Sequence, residues 1–209
     1  MKKHAKLIIS IVLCLLPMLL VAAEYHRLPE QVAIHFNAAG EPDNYAPKAF
    51  LFALPVLMAA LQVLCSFAGK FDKRAETAAA SLYWLMQWFI PALTMLLMVI
   101  VVYHALGVNI PILMILHLLV GFIFVIIGNY LPKCRQNSII GVKLPWTLKD
   151  AGNWNFTHRV TGYTYFFGGY VFIAGAFIQA EWLTITLLFS LILIPFAASL
   201  YYHLRNKGA

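Results

Sequence analysis

Charge is what this sequence has least of. Only 11% of its 209 residues are Asp, Glu, Lys or Arg, 62% are hydrophobic, and the mean hydropathy is +0.80. A soluble domain carries about a quarter charged residues, so a soluble fold is excluded. Between Glu76 and Lys133 there are 56 residues without Asp, Glu, Lys or Arg. The alternation of apolar and polar residues over about ten positions that marks a membrane β-barrel is missing too. Cysteine is scarce: Cys14, Cys65 and Cys134 show no CxxC spacing, which excludes a disulfide framework and a cysteine zinc site, and all three are read as free thiols. The sequence lacks GxSxG, a P-loop and HExxH, and no apolar run contains Asp or Glu. Standard hydrolase and nucleotide chemistry are therefore unsupported, as is an acidic ion relay.

What is present is apolar length. Runs at 7–23, 49–69, 81–103, 112–131, 160–178 and 182–202 each approach the roughly 20 residues needed to cross a hydrocarbon core of about 30 Å. The first also resembles a signal peptide, but at 17 residues it exceeds the usual apolar segment of one and is read as an uncleaved span. Gly107 and Pro111 divide the long uncharged stretch in two, Pro55 is tolerated inside the second span, and 70–76 and 179–181 are read as short turns. The expected fold is an all-α integral membrane protein with six transmembrane helices. It divides into a two-helix module, 1–80, with an outer loop at 24–48, and a four-helix region, 81–209, with an inner loop at 132–159.

The net charge of +7 is distributed unevenly. Thirteen Lys and Arg residues fall on one side of these spans and only Arg27 and Lys48 on the other. By the positive-inside rule both termini and the 132–159 loop are cytoplasmic, and the basic balance reflects topology, with no direct nucleic-acid binding. Trp84, Trp88, Tyr103, Trp182, Tyr201 and Tyr202 lie towards span ends, as interfacial anchors do.

Polar residues concentrate in two places. Residues 128–162 read GNYLPKCRQNSIIGVKLPWTLKDAGNWNFTHRVTG, the longest polar passage in the chain. Asn137 and Gly141 suit a tight turn, Pro145 fixes the backbone before Trp146, and Thr147 is placed to cap the next segment. This passage admits two roles. In one, it is a folded cap with Trp146 and Trp154 at the membrane interface; in the other, Lys143, His158 and Arg159 hold a phosphate, a lipid headgroup or an acidic partner. The second place is the outer loop, EYHRLPEQVAIHFNAAGEPDNYAPK, dense in turn formers. His26, Glu30, His35, Glu41 and Asp43 are metal-ligand types without a metal motif, so no metal and no cofactor is expected. Within the spans, His117, Asn129, Gln62 and Gln87 are the polar exceptions, His117 being read as an interhelical hydrogen bond. Gly162 and Gly169, like Gly168 and Gly175, are seven apart on one helix and suit close packing, while Tyr163, Tyr165 and Tyr170 are candidates for a polar vestibule.

Those two places resemble the SdpI family of bacterial membrane proteins, whose founder protects producing cells from a secreted peptide toxin. The central motif is similar to the family pattern at Gly128, Asn129, Pro132, Asn137, Gly141, Val142, Lys143, Pro145, Trp146, Thr147, Leu148, Trp154, His158, Arg159 and Gly162. The outer loop resembles the small module that often precedes it, at Pro29, His35, Phe36, Asn37, Gly40, Asp43 and Lys48. Lys143 stands where the family often has Arg, which keeps the charge but loses the planar fork. The resemblance implies a multi-pass protein of the bacterial cytoplasmic membrane and a non-enzymatic role. It further implies resistance to an exported peptide sensed by the outer loop, and signalling by capture of a cytoplasmic repressor at the inner loop. A small-solute or lipid transporter lined by His117, Asn129 and the tyrosines is the alternative, and a membrane enzyme using His158 or His35 as general base the second.

Overall fold

The computed structural model describes residues 3–37, 40–71, 80–138, 140–178 and 181–206. The turn expected within 70–76 and that at 179–181 fall largely outside these residues. Among the described residues there are seven α-helices: α1 (Lys3–Leu15), α2 (Pro17–Glu24), α3 (Ala53–Phe71), α4 (Ala80–Ala105), α5 (Ile112–Tyr130), α6 (Ala151–Ile178) and α7 (Glu181–Arg205). Among the described residues five stretches are long and apolar enough to cross a membrane: α1 with α2 as His4–Glu24, Lys48–Phe67 around α3, Gln87–Ala105 in α4, Ile112–Lys133 around α5 and Trp182–Arg205 in α7. The helix covering the expected fifth span, α6, has the length but not the hydropathy, because Gly, Thr and Tyr occupy much of 160–178.

Proline and glycine explain where these helices start and stop. Pro17 opens α2 at a position needing no backbone donor, and Pro55 likewise sits in the first turn of α3. Gly107, at φ 84°, takes the left-handed conformation after α4, so that Val108 N–H reaches back to Tyr103 O at 3.0 Å. The division expected there is the one found.

The chain packs as two compact units, and α4 groups with the N-terminal elements (Met1–Phe71 with Tyr83–Ile112) instead of with the C-terminal region. α4 supplies core side chains to this first unit. Met98 and Val102 join Val21, Leu28, Val32 and Leu51 in one cluster, and Ile90 joins Cys14 and Ala59 in another. Below them Ser10, Gln62 and Gln87 tie α1, α3 and α4 by side-chain hydrogen bonds of 2.9–3.0 Å.

The outer loop is not purely loop, and the fold not purely helical. Two antiparallel strands, β1 (Gln31–Phe36) and β2 (Pro42–Pro47), form a hairpin with irregular register around His35. Val32 anchors it in the first unit's core, and prolines at both ends of β2 limit further pairing.

In the second unit α5 and α6 meet along glycine. A Cβ on Gly121 would lie 2.8 Å from Gly169 O, and one on Gly162 would lie 2.9 Å from Gly128 O. The pairs 121/169 and 128/162 make the helices antiparallel, with each glycine admitting the partner's backbone. His117 on α5 hydrogen-bonds Leu113 O and, across the unit, Thr184 Oγ1 on α7, both at 2.8 Å. The tyrosines do not line one vestibule: Tyr163 and Tyr170 are exposed, whereas Tyr165 turns inward onto Phe124.

Candidate functional site

The motif folds around two helix starts and one glycine. A short 3-10 turn, Leu131–Lys133, continues α5 and seats Pro132 against Gly162. Beyond it Asn137 acts as a hub for the turn. Its Nδ2 donates to Arg135 O at 2.8 Å and Ile140 O at 3.1 Å, and its Oδ1 accepts Ile140 N–H at 2.8 Å. The same amide lies 3.3 Å from the buried Cys134 sulfur; burial pushes that thiol's pKa up, so it is a poor nucleophile.

Gly141 adopts φ 132°, a backbone that L side chains rarely take up. A Cβ there would run into His158 Nε2 and the Trp154 ring. The absence of a side chain lets the loop close over those two rings, which stack 3.9 Å apart with an interplanar angle of 19°. Trp154 is 0% exposed and donates its Nε1–H to Cys134 O at 2.9 Å. It is the centre of the loop's interior, not an interfacial anchor.

His158 is buried under the same loop. Its Nε2 lies 3.1 Å from Val142 N, which can only donate, so Nε2 accepts and Nδ1–H donates to Trp154 O at 2.8 Å. Both nitrogens are engaged in the neutral form. Burial lowers the pKa from 6.5 to about 4, outweighing the bond to Trp154 O. The expected cationic role is therefore corrected: His158 is an uncharged clasp, and Lys143 and Arg159, neither of them buried, carry the charge.

Thr147 also differs from expectation. Its hydroxyl accepts Leu144 N–H at 2.8 Å and lies 2.8 Å from Val142 O, closing the 142–147 turn from inside. The cap of α6 is Asp150, whose Oδ1 accepts Gly152 N–H at 2.7 Å. Hence α6 begins at Ala151, well before the span expected from residue 160. Its first turns present Asn153, Trp154, Thr157 and His158 inward, all at most 1% exposed.

A second network fixes the loop to α7. Trp146 Nε1–H donates to Ser199 Oγ at 2.8 Å, and its ring stacks on His203 at 5.1 Å. Asn153 Nδ2 donates to Ser199 O at 3.0 Å, while its Oδ1 accepts Thr157 Oγ–H at 2.8 Å. Sequence reasoning misses Asn153, Thr157 and Ser199. The signal for the first two is the helical spacing of Asn153, Thr157 and Thr161 after Asp150.

Thus Asn137, Gly141, Thr147, Trp154, His158 and Gly162 point into the loop or the helix seam. Asn129, Pro132, Pro145 and Arg159 lie at the surface or near it, with Lys143 exposed and Trp146 half-buried. Lys143 Nζ reaches Ser138 O at 3.3 Å.

The outer-loop residues belong to the first unit. Asn37 and Gly40 shape the hairpin turn: Glu41 N–H donates to Asn37 Oδ1 at 3.0 Å, and Gly40 N–H to Asn37 O at 2.9 Å. His35 Nδ1 meets Asp43 Oδ1 at 2.5 Å across the strands. Lys48 closes the base, 3.0 Å from Glu30 and 4.8 Å above the Tyr25 ring, and Pro29 is exposed beside it. Among the described residues no three His, Cys, Asp or Glu side chains gather as metal ligands.

Residues 133–201 match the SdpI/YfhL protein family, and residues 12–59 match a domain of unknown function, DUF1648. The chain is 26% identical over 215 residues to the immunity protein SdpI of Bacillus subtilis (strain 168), covering 100% of both chains. No solved structure matches it. The family that the loop motif resembles is thus the one that residues 133–201 match, in a multi-pass membrane protein where that region follows one matching DUF1648.

Proposed function

We propose that this protein spans the bacterial cytoplasmic membrane six times and confers resistance to an exported, membrane-active peptide. Both termini and the 132–159 loop face the cytoplasm in this reading, with α6 supplying the sixth span, and the loop signals by capturing a cytoplasmic repressor. The observation that carries it is full-length similarity to a protein named for immunity, 26% identical over 215 residues. Thirteen Lys and Arg against two support the orientation.

The buried and exposed halves of the motif have different tasks. Asn137, Gly141, Thr147, Trp154 and His158, with the half-buried Trp146, hold the loop in one conformation, and Asn129, Pro132, Lys143, Pro145 and Arg159 present its outer surface to the partner. On the other side, the hairpin with His35, Asn37, Gly40, Asp43, Lys48 and Pro29 meets the peptide, its tip bearing Glu41 and Asp43 towards a cationic ligand. No comparable observation favours a transporter, since His117 is engaged at both ring nitrogens. Nor does His158 have a free nitrogen with which to act as a base.

The test is survival of peptide-sensitive cells expressing the protein under challenge with the secreted toxin of the same strain, against empty vector. Protection is expected. No protection despite confirmed membrane insertion overturns the reading.

A further inference from the structure

We infer that the first unit binds one water molecule inside its helix bundle, held between Gln62 Oε1 and Ser66 Oγ on α3. The inference is independent of the immunity reading.

Gln62 is 1% exposed, and its amide orientation is fixed by its neighbours. Nε2 donates to Ser10 Oγ at 3.0 Å and to Gln87 O at 3.1 Å. A backbone carbonyl only accepts, so flipping the amide would set two acceptors against each other. Ser10 Oγ is fully used: it accepts from Gln62 and, at 2.9 Å, from Gln87 Nε2, and donates to Leu7 O at 2.9 Å. The lone pairs of Gln62 Oε1 are therefore turned away from this node, buried and without a protein partner.

Ser66 Oγ is also buried without a partner, one helical turn along the same face of α3. Thr94, Thr161, Thr164, Thr186 and Ser190 all donate to the carbonyl one turn back. Ser66 does not, although Gln62 O lies in that position.

An orphaned carbonyl and an orphaned hydroxyl at positions i and i+4 can be joined by one small molecule that both donates and accepts. Water does this, donating to Oε1 and exchanging a hydrogen bond with the hydroxyl. In hydrocarbon the alternative is two desolvated polar atoms, a severe penalty where no bulk water reaches. The bound water completes the polar node joining α1, α3 and α4.

The experiment is a double-mutant cycle on the full-length protein in lipid nanodiscs, using Ser66→Ala, Gln62→Leu and the pair, with reversible unfolding as readout. Ser66→Ala is expected to shift the unfolding equilibrium at least fivefold towards unfolding in the natural background, and less than twofold in the Gln62→Leu background. A neutral or stabilising Ser66→Ala overturns the inference, because removing a dry orphan hydroxyl costs nothing. Equal effects of Ser66→Ala in both backgrounds overturn it as well. Should Gln62→Leu not fold, the sign of the Ser66→Ala effect alone decides.

Discussion

His158 and Val142 are joined by a hydrogen bond that only an uncharged imidazole can accept, Nε2 lying 3.1 Å from the backbone N–H. Protonation would put two donors face to face and loosen the loop from its underlying rings. In the folded loop the pKa is lowered from 6.5 to about 4. The more open state therefore binds more protons between those values, so loop stability is fully present above about pH 6.5 and falls towards pH 4. The loss approaches about 3 kcal/mol and then levels off. Reaction of Cys134 with a disulfide reagent that works in acid, read by mass spectrometry, is expected to accelerate across this window. A flat profile would contradict the clasp.

Gly141→Ala tests the same closure from the loop side. The new methyl meets His158 and Trp154 on a backbone already at φ 132°. We expect a cost of at least about 2 kcal/mol, with Cys134 reactive even at neutral pH.

Gly128→Ala should weaken the second unit far more than Gly168→Ala. The first methyl strikes backbone, with Gly162 O at 2.7 Å, whereas the second meets the side-chain end of Leu191 at 2.9 Å, which can rotate aside. Thermal unfolding in detergent would rank them, and equal midpoints would remove the seam argument.

Trp146→Phe keeps an aromatic ring but loses the 2.8 Å bond to Ser199. A destabilisation of about 1 kcal/mol is expected, with little change in unfolding cooperativity.

Lys143→Gln separates folding from docking. Lys143 is exposed, so Cys134 should stay protected and insertion normal. If the loop captures a partner through charge, resistance or signalling should fall severalfold at unchanged protein level, whereas Asn137→Ala should reduce both protection and resistance. Full activity in Lys143→Gln would remove that side chain from the docking surface.

The five apolar spans are legible in the sequence because apolar run length translates directly into a membrane crossing. The start of α6 is not. Asn153, Thr157 and His158 look like loop residues until the loop itself supplies their partners, so a polar helix face reads as irregular chain. The hairpin is hidden similarly: Val32, Ile34 and Phe36 alternate, but the turn formers around them dominate a reading of 24–48 as loop. Gly162 and Gly169 announce a packing face, whereas Gly121, the partner of Gly169, sits in a run so apolar that nothing marks it. His117 is legible as an interhelical hydrogen bond, since a lone polar group in a span has few other ways to be satisfied. His158 passes for a cation because a sequence does not display burial.

The bond from Trp146 to Ser199 spans 53 positions of chain. During synthesis the 132–159 loop emerges well before the last helix that holds it, so its final surface cannot assemble until α7 has formed and docked. A partner that recognised the closed loop would then ignore half-made or misinserted chains, and the loop would read out completed assembly.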